Sequence, residues 1–393
     1  MTDTALSRRS LYVKALVVLL LVIVAGIIIW SRLPEDSKDD IRIVVLLPET
    51  GKFSFIGIPV RRGLDLAATD LGGKVGARRL RLFYEDFRED TSVGVQALQQ
   101  YLDGPKRAHA VVSVLTGMTN AAKEYTERHE IPLFAVTIHP TITRDNKYLF
   151  RIYYSAGDEG KALAEFVVKA KPRTAAVLVS ADPQTEYAAD RFLIPALEEH
   201  NVSVGFKDSY KVGTADFGNL VTRCMASKPD VLIVPGAYAP DVRSLFRELQ
   251  RRNLAARVRL YGGIAFLDVA TKFPAEAIEG MHFVAPPFVA PGVADQAARG
   301  VVEKYRTRYN EAPVHEVGYA YDTLRVIAKG VENAASLKGS ELRAGIRRVS
   351  NYPGVSGTIS VGDDNDVRLH LLPCLFRNGR IARADTAGSV DGD

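Results

Sequence analysis

From Ile41 onward, short runs of apolar residues alternate with stretches whose apolar residues recur at helical spacing, and this alternation leaves few folds open. Strand, helix, strand is the repeating unit of a parallel sheet covered by helices. IRIVVLLP reads as a first buried strand, and the helix behind it carries Val60, Leu64, Ala67 and Leu71 on one face. LRLFYED is a second strand leading to a helix near residues 93–101. HAVVSVL and IPLFAV are strands flanking a helix expected to begin near Met118. After FRIYYSAG the pattern starts again. Leu163, Phe166, Val167 and Ala170 mark a helix, TAAVLVS a strand, and residues 188–200 another helix. VSVGFKDSY, DVLIVPG, VRLYGG and MHFVAPP continue the series, with Val242, Leu245, Phe246 and Leu249 as the face of the helix after DVLIVPG. The last third is mostly helical, with Val317, Ala320, Tyr321, Leu324 and Ile327 on one stripe, and closes with the strand-like HLLPCLF.

Ahead of this pattern stands LYVKALVVLLLVIVAGIIIW, residues 11–30, behind Arg8 and Arg9 and before SRLPEDSKDD. Its apolar core lies between a signal-peptide h-region and the roughly 20 residues that span a bilayer. The exit runs Ile27, Ile28, Ile29, Trp30, with no small-residue cleavage site and no nearby cysteine to carry a lipid. An uncleaved transmembrane anchor is the preferred reading, a long cleaved signal the alternative. Basic residues before the segment and acidic ones after it put the N-terminus inside and the folded chain outside the cytoplasm.

The length allows about two domains beyond the anchor. With 25% charged and 47% hydrophobic residues the chain has the make-up of an ordinary globular protein. The net charge of +5 comes partly from the N-terminus and elsewhere from scattered basic residues with acidic neighbours, so nucleic-acid binding is not expected. Cys224 and Cys374 read as buried free thiols rather than a disulfide, although spacing alone cannot show whether they meet.

Two open α/β arrays in succession imply a cleft, because ligands bind beyond the carboxyl ends of parallel strands, where helix N-termini present free N–H groups. The loops in question are ETGKFSFIG, LTGMTN, VTIHPT, SADPQTEY, PGAYAPD and GGIAFLD. Taken singly, each also reads as a helix cap, with Thr116 or Thr119, Asp182 and Asp241 at the capping positions. GDDNDV, residues 362–367, lacks the spaced acids of a calcium loop and reads as a polar turn. No Walker A string, dinucleotide fingerprint, nucleophile elbow or zincin motif appears, so neither enzyme chemistry, a cofactor nor a metal is expected. A hydrolase on the same lobes is a distant reading.

LLPETGKFSFIGIPVRRGLDLAATDLGG, LFYEDFREDTSVGVQALQQYL, PDVLIVPGAYAPDVRSLFRELQRRNL, IEGMHFVAPP and GYAYDTLRVIAKGVENA occur in an order and spacing that resemble the leucine/isoleucine/valine-binding proteins and their amide-binding relatives. These are the branched-chain type of ABC-transporter solute receptor, with a periplasmic binding protein type I fold. The resemblance runs from Ile41 to about Arg377. It implies α/β architecture in two open parallel-sheet lobes joined by a hinge and closing on a small ligand, here preceded by the N-terminal transmembrane helix. The expected division is 1–40 cytoplasmic tail, anchor and linker, 41–150 the first part of lobe I, and 151–285 lobe II. The chain then returns to lobe I over 286–358, adds closing strands of lobe II or the hinge over 359–381, and ends in a disordered tail at 382–393.

Carried over by position, the resemblance implies that Thr116 and Gly117, with Thr137, Ile138 and His139, meet the ligand carboxylate and ammonium. Thr185 or Tyr187 and Tyr238 would face them from the opposite lobe, with Phe55 or Ile56 as an apolar wall. Where leucine-binding relatives place an acid for the ammonium, this chain has Gly263 or Ile264 in YGGIAFLD. Asp268 reaches the cleft only if that loop is remodelled. Leucine, isoleucine and valine are therefore expected to bind weakly, and an amide-like, carboxylate or aromatic ligand becomes at least as plausible. The implied partners are an ABC permease and ATPase of the branched-chain type and the inner membrane, reached through the N-terminal helix. A ligand sensor signalling to a neighbouring membrane or envelope protein is the runner-up.

Overall fold

The structure, a computed structural model, describes residues 40–384 except 106, 255–256, 272 and 290–295, together with all side chains in that span but those of 239 and 268–271. The apolar segment at residues 11–30 and the tail beyond 384 lie outside it. Among the described residues no helix is long and apolar enough to cross a membrane.

The first lobe is built from β1 (Ile41–Leu47), α1 (Ser54–Asp70), the short β2 (Lys74–Val75), β3 (Arg78–Asp86) and α2 (Thr91–Asp103). β4 (Ala110–Val114), α3 (Thr116–Arg128), β5 (Leu133–Val136) and β6 (Leu149–Arg151) follow. Its sheet has the order β2-β3-β1-β4-β5-β6, parallel throughout except for β2 against β3. β1 and β4 are apolar at nearly every position because both faces of a parallel sheet are covered.

The second lobe begins with α4 (Ala156–Lys169) and β7 (Thr174–Ser180). Next come α5 (Pro183–Ala188), a π-helical turn (Ala189–Leu193) and α6 (Ile194–Glu199), one continuous helical path that starts five residues before the expected Ala188. Asp182 is the reason: its side chain accepts from the Gln184 and Thr185 amides, and Pro183 takes the first turn. β8 (Ser203–Tyr210), α7 (Gly218–Ala226), β9 (Val231–Val234), α8 (Ala239–Arg251), β10 (Arg259–Gly262), α9 (Ala275–Ile278) and β11 (His282–Ala285) complete the parallel part. The chain then supplies α10 (Gln296–Tyr309), α11 (His315–Asn333), α12 (Gly339–Arg347) and the hairpin β12 (Tyr352–Gly354) and β13 (Gly357–Ile359). It ends with β14 (Leu372–Arg377) and β15 (Arg380–Arg383).

The second sheet runs β15-β14-β11-β10-β9-β7-β8, with β14 antiparallel to β11 and β15 antiparallel in turn to β14. β15 carries ordered pairing through the first two residues of the expected tail, Ala382 and Arg383, which pair with Leu375 and Cys374 across the closing hairpin.

α11 belongs to the first lobe. Val317, Ala320, Leu324 and Ile327 pack with Val60 and Leu64 of α1 beneath the first sheet. The two helices approach so closely that a Cβ at Gly63 would stand 2.4 Å from the Val317 carbonyl oxygen. Cys224 and Cys374 are both buried and are not joined in a disulfide. Residues 362–367 form a turn closed by a Val361–Val367 bridge.

Candidate functional site

In each sheet the strand order reverses at one place, between β1 and β4 in the first lobe and between β7 and β9 in the second. Such a switch point opens a crevice at the carboxyl ends of the strands. In the first lobe the crevice is walled by the loops after β1, β4 and β5. Leu115, between β4 and α3, has φ of 75° and ψ of 145°, an unfavourable conformation for a leucine that turns the chain straight from strand into helix. Strain of this kind persists where the surrounding structure over-determines it. Thr116 is therefore the first helical residue, and neither Thr116 nor Thr119 caps the helix as expected; Thr119 instead bonds back to the Leu115 carbonyl at 3.0 Å. Thr116 Oγ1 pairs with Thr137 Oγ1 at 2.6 Å, joining two strand-end loops. At Gly117 a Cβ would meet only Thr91 Cγ2, at 3.8 Å, so the first amides of α3 are open to a ligand.

His139 follows. Its amide donates to Thr137 Oγ1, its Nδ1 accepts from the Thr141 amide and its carbonyl from the Arg151 guanidinium. Burial, with Arg151 nearby, lowers its pKa below the ordinary value, so the ring is neutral at pH 7 and gives no charge to an anion. Ile138 is half-buried against the first core and its carbonyl accepts from Ala156 at 2.8 Å, tying this loop to the start of α4. Phe55 is 54% exposed beside Phe53, whereas Ile56 packs on the first core.

In the second lobe Thr185 is fully buried and hydrogen-bonds Asp182, lying under Gly236, where an added Cβ would be 2.4 Å from its Cγ2. Thr185 thus supports the β9 loop. Tyr187 is 41% exposed and leans on Phe192, away from Tyr238 in sequence and in ring contact. Tyr238 sits at the start of α8, with its hydroxyl pKa pushed up to about 12, chiefly by burial. Asp241 does not cap that helix; it accepts from the Gly213 amide at 2.9 Å. His139 and Asp182, from opposite lobes, lie within electrostatic reach of each other, as do Tyr154 and Tyr238.

The loop after β10 meets an acid that its own residues do not supply. YGGIAFLD does lack one at Gly263 and Ile264, but α4 fills the gap with Glu159. Its Oε2 accepts from the Gly236 amide at 2.6 Å and its Oε1 from the Ile264 amide at 3.0 Å, bridging the loops after β9 and β10. A Cβ at Gly263 would lie 2.1 Å from Oε1, so glycine there is what admits the carboxylate. Ile264 contributes its amide while its side chain lies in the second core. Burial raises the Glu159 pKa against the pull of the two amides. A sequence signal existed: Glu159 stands four residues before Leu163 and so continues the apolar stripe of α4 with an acid.

Beside it is a buried cluster that the sequence reading missed. Tyr153, Tyr154 and Tyr319 have ring centroids 4.7–6.0 Å apart, and Tyr153 Oη bonds His315 Nε2 at 3.0 Å. His315 Nε2 lies 3.3 Å from Glu316 Oε1. Burial pushes the His315 pKa down to about 3 and the Glu316 pKa up to about 7. A carboxyl whose folded pKa exceeds its ordinary value stabilises the fold most when protonated, and that contribution is lost as pH rises through the folded pKa. The stability difference between the native chain and Glu316→Gln should therefore change by about 3 kcal/mol between pH 4.5 and pH 8, to the native chain's disadvantage at high pH. Denaturant titrations of both proteins across that range check this; parallel curves would refute it.

Two lobes with switch-point loops, and residues of opposite lobes within electrostatic reach of each other, form an arrangement able to receive a small solute. A family model described as periplasmic binding protein matches residues 40–385. Solved structures agree in fold. The leucine binding protein LivK of Thermotoga maritima is 21% identical with a TM-score of 0.75, over 87% of this chain and 97% of that one. LivJ of Streptococcus pneumoniae, a branched-chain amino acid transporter substrate binding protein in complex with isoleucine, is 20% identical with a TM-score of 0.74, over 87% and 97%. An ABC transporter solute binding protein of R. palustris in complex with benzoate is 17% identical with a TM-score of 0.75, over 88% and 95%. No curated protein sequence matches. The chain belongs to the periplasmic binding protein family, which places its folded domain outside the cytoplasm.

Proposed function

We propose that this chain is a membrane-anchored solute receptor that closes on a small amino-carboxylate and delivers it to an ABC permease. Isoleucine and benzoate, bound by two proteins of the same fold, share a carboxylate and little else. The open N-terminus of the 13-residue α3, at Thr116 and Gly117, offers amides and a helix dipole to such a group. The Thr116–Thr137 hydroxyl pair adds donors. Glu159 carries the reading beyond a plain acid: its carboxyl group is buried and has no cationic side chain paired with it among the described residues. Two amides occupy two of roughly four acceptor sites, leaving room for a ligand ammonium. Tyr238, Ile56 and the exposed Phe55 are the ligand's remaining walls in this reading, and the anchor at residues 11–30 keeps the receptor at the membrane. Enclosure between lobes requires hinge closure. X-ray scattering of the full chain in detergent, with and without a saturating acid found in a screen of amino acids and aromatic acids, tests it. The domain should contract on binding, and an unchanged distance distribution at saturation would overturn closure.

A further inference from the structure

A cavity lies where the chain passes between the lobes, next to the His139 loop and the start of α4. Its volume is about 250 Å³. Thr141, Thr143 and Arg144 line it from the first lobe, and Lys161 and Phe192 from the second. The passages themselves contribute Arg151, Ser155, Asp364, Asp366 and Arg368. Three carboxylates border this cavity and each is engaged. Asp158 accepts from the Ser155 amide and hydroxyl in a capping box at the start of α4. Asp366 forms a bidentate pair with buried Arg151, and Asp364 takes Arg368 at 2.9 Å.

What remains is positive and protic. Arg144 and Lys161 have no carboxylate partner among the described residues; Lys161 rests on the Phe192 ring, 5.1 Å from its centroid. Thr143 is 6% exposed and its hydroxyl makes no hydrogen bond among the described residues. With four cations against three carboxylates, the lining carries one net positive charge. A hydroxyl without a partner and two uncompensated cations, one from each lobe, suit a ligand that accepts several hydrogen bonds and carries negative charge.

We propose that this cavity is a binding site for a small oxyanion of the phosphate or sulfate type, held between Arg144 and Lys161 with Thr143 as a further donor. Because the two cations belong to different lobes, the anion bridges the lobes. The site is independent of the solute's identity and is testable without any solute.

The test is calorimetry of the full chain with inorganic phosphate at constant ionic strength, repeated for Arg144→Ala, Lys161→Ala and Thr143→Val. Arg257→Ala, on the rim of a separate groove at the other end of the second sheet, serves as control. Loss of one charge-assisted contact should weaken phosphate about 10- to 100-fold. The control should bind as the native chain does. Arg144 and Lys161 are exposed, so their truncation spares the core. Chloride at equal ionic strength should give no comparable heat. Phosphate binding that is absent in the native chain, matched by chloride, or unchanged in both cation variants would overturn the site.

Discussion

Replacing Glu159 by glutamine is expected to weaken an amine-bearing ligand about 30-fold to several thousand-fold while leaving a ligand with only a carboxylate nearly unaffected. The lower and upper bounds correspond to about 2 and 5 kcal/mol, the cost of removing one member of a desolvated charge pair. The comparison is internal. Glutamine loses the charge and can accept from only one of the Gly236 and Ile264 amides, which costs stability of about 1–3 kcal/mol in either ligand state. That penalty falls on both ligands alike, so the ratio of affinities for isoleucine and benzoate isolates the ammonium contact. Calorimetry on native chain and variant, each first unfolded and refolded to strip bound solute, measures it. Equal losses for both ligands, or tight isoleucine binding in the variant, would show that Glu159 only joins the two loops. Tight isoleucine binding by the native chain would overturn the expectation drawn from YGGIAFLD alone.

Asp366→Asn is expected to lower the unfolding free energy by about 3–5 kcal/mol, because it strands the Arg151 guanidinium, which is 1% exposed, without its counter-ion. Arg151 ends β6 and Asp366 lies on the last passage between the lobes, where the two form a parallel bridge. The pair therefore clasps two passages together. Removing both charges, as in Arg151→Met with Asp366→Leu, should recover part of the loss, since a buried ion pair contributes little over apolar residues of similar volume. Urea unfolding followed by circular dichroism distinguishes the cases. A loss under 1 kcal/mol for Asp366→Asn would mean that water or another group compensates the arginine.

Much of the fold was legible because strand and helix leave different periods in the chain. The buried strands of both lobes, the amphipathic faces of α1, α8 and α11 and the restart after FRIYYSAG all follow from that. Helix starts were less legible. α3 begins two residues before Met118 through a strained Leu115, and no local residue type announces a positive φ at leucine. The site was legible only where it is local: the loops after parallel strands are necessarily where the crevice forms. Glu159 was missed because it arrives from α4, over 70 residues from Gly236 and over 100 from Gly263, through space that exists only once Gly263 has omitted its side chain. Arg151 and Asp366, 215 residues apart, escape for the same reason: charge pairing across the tertiary fold has no period.

The packing of α11 on α1 governs how the chain can be made. Val60 and Leu64 wait for Val317, Ala320 and Leu324, so the first lobe, although begun by the first strand, stays open on one face until some 250 further residues have been synthesised. Contacts of such sequence separation form late, because a long loop must close before they reward the chain. A nascent polypeptide of this design spends most of its synthesis without a finished N-terminal core. It remains pliable during the interval in which it must be threaded across a membrane, and becomes rigid only when its last third has followed.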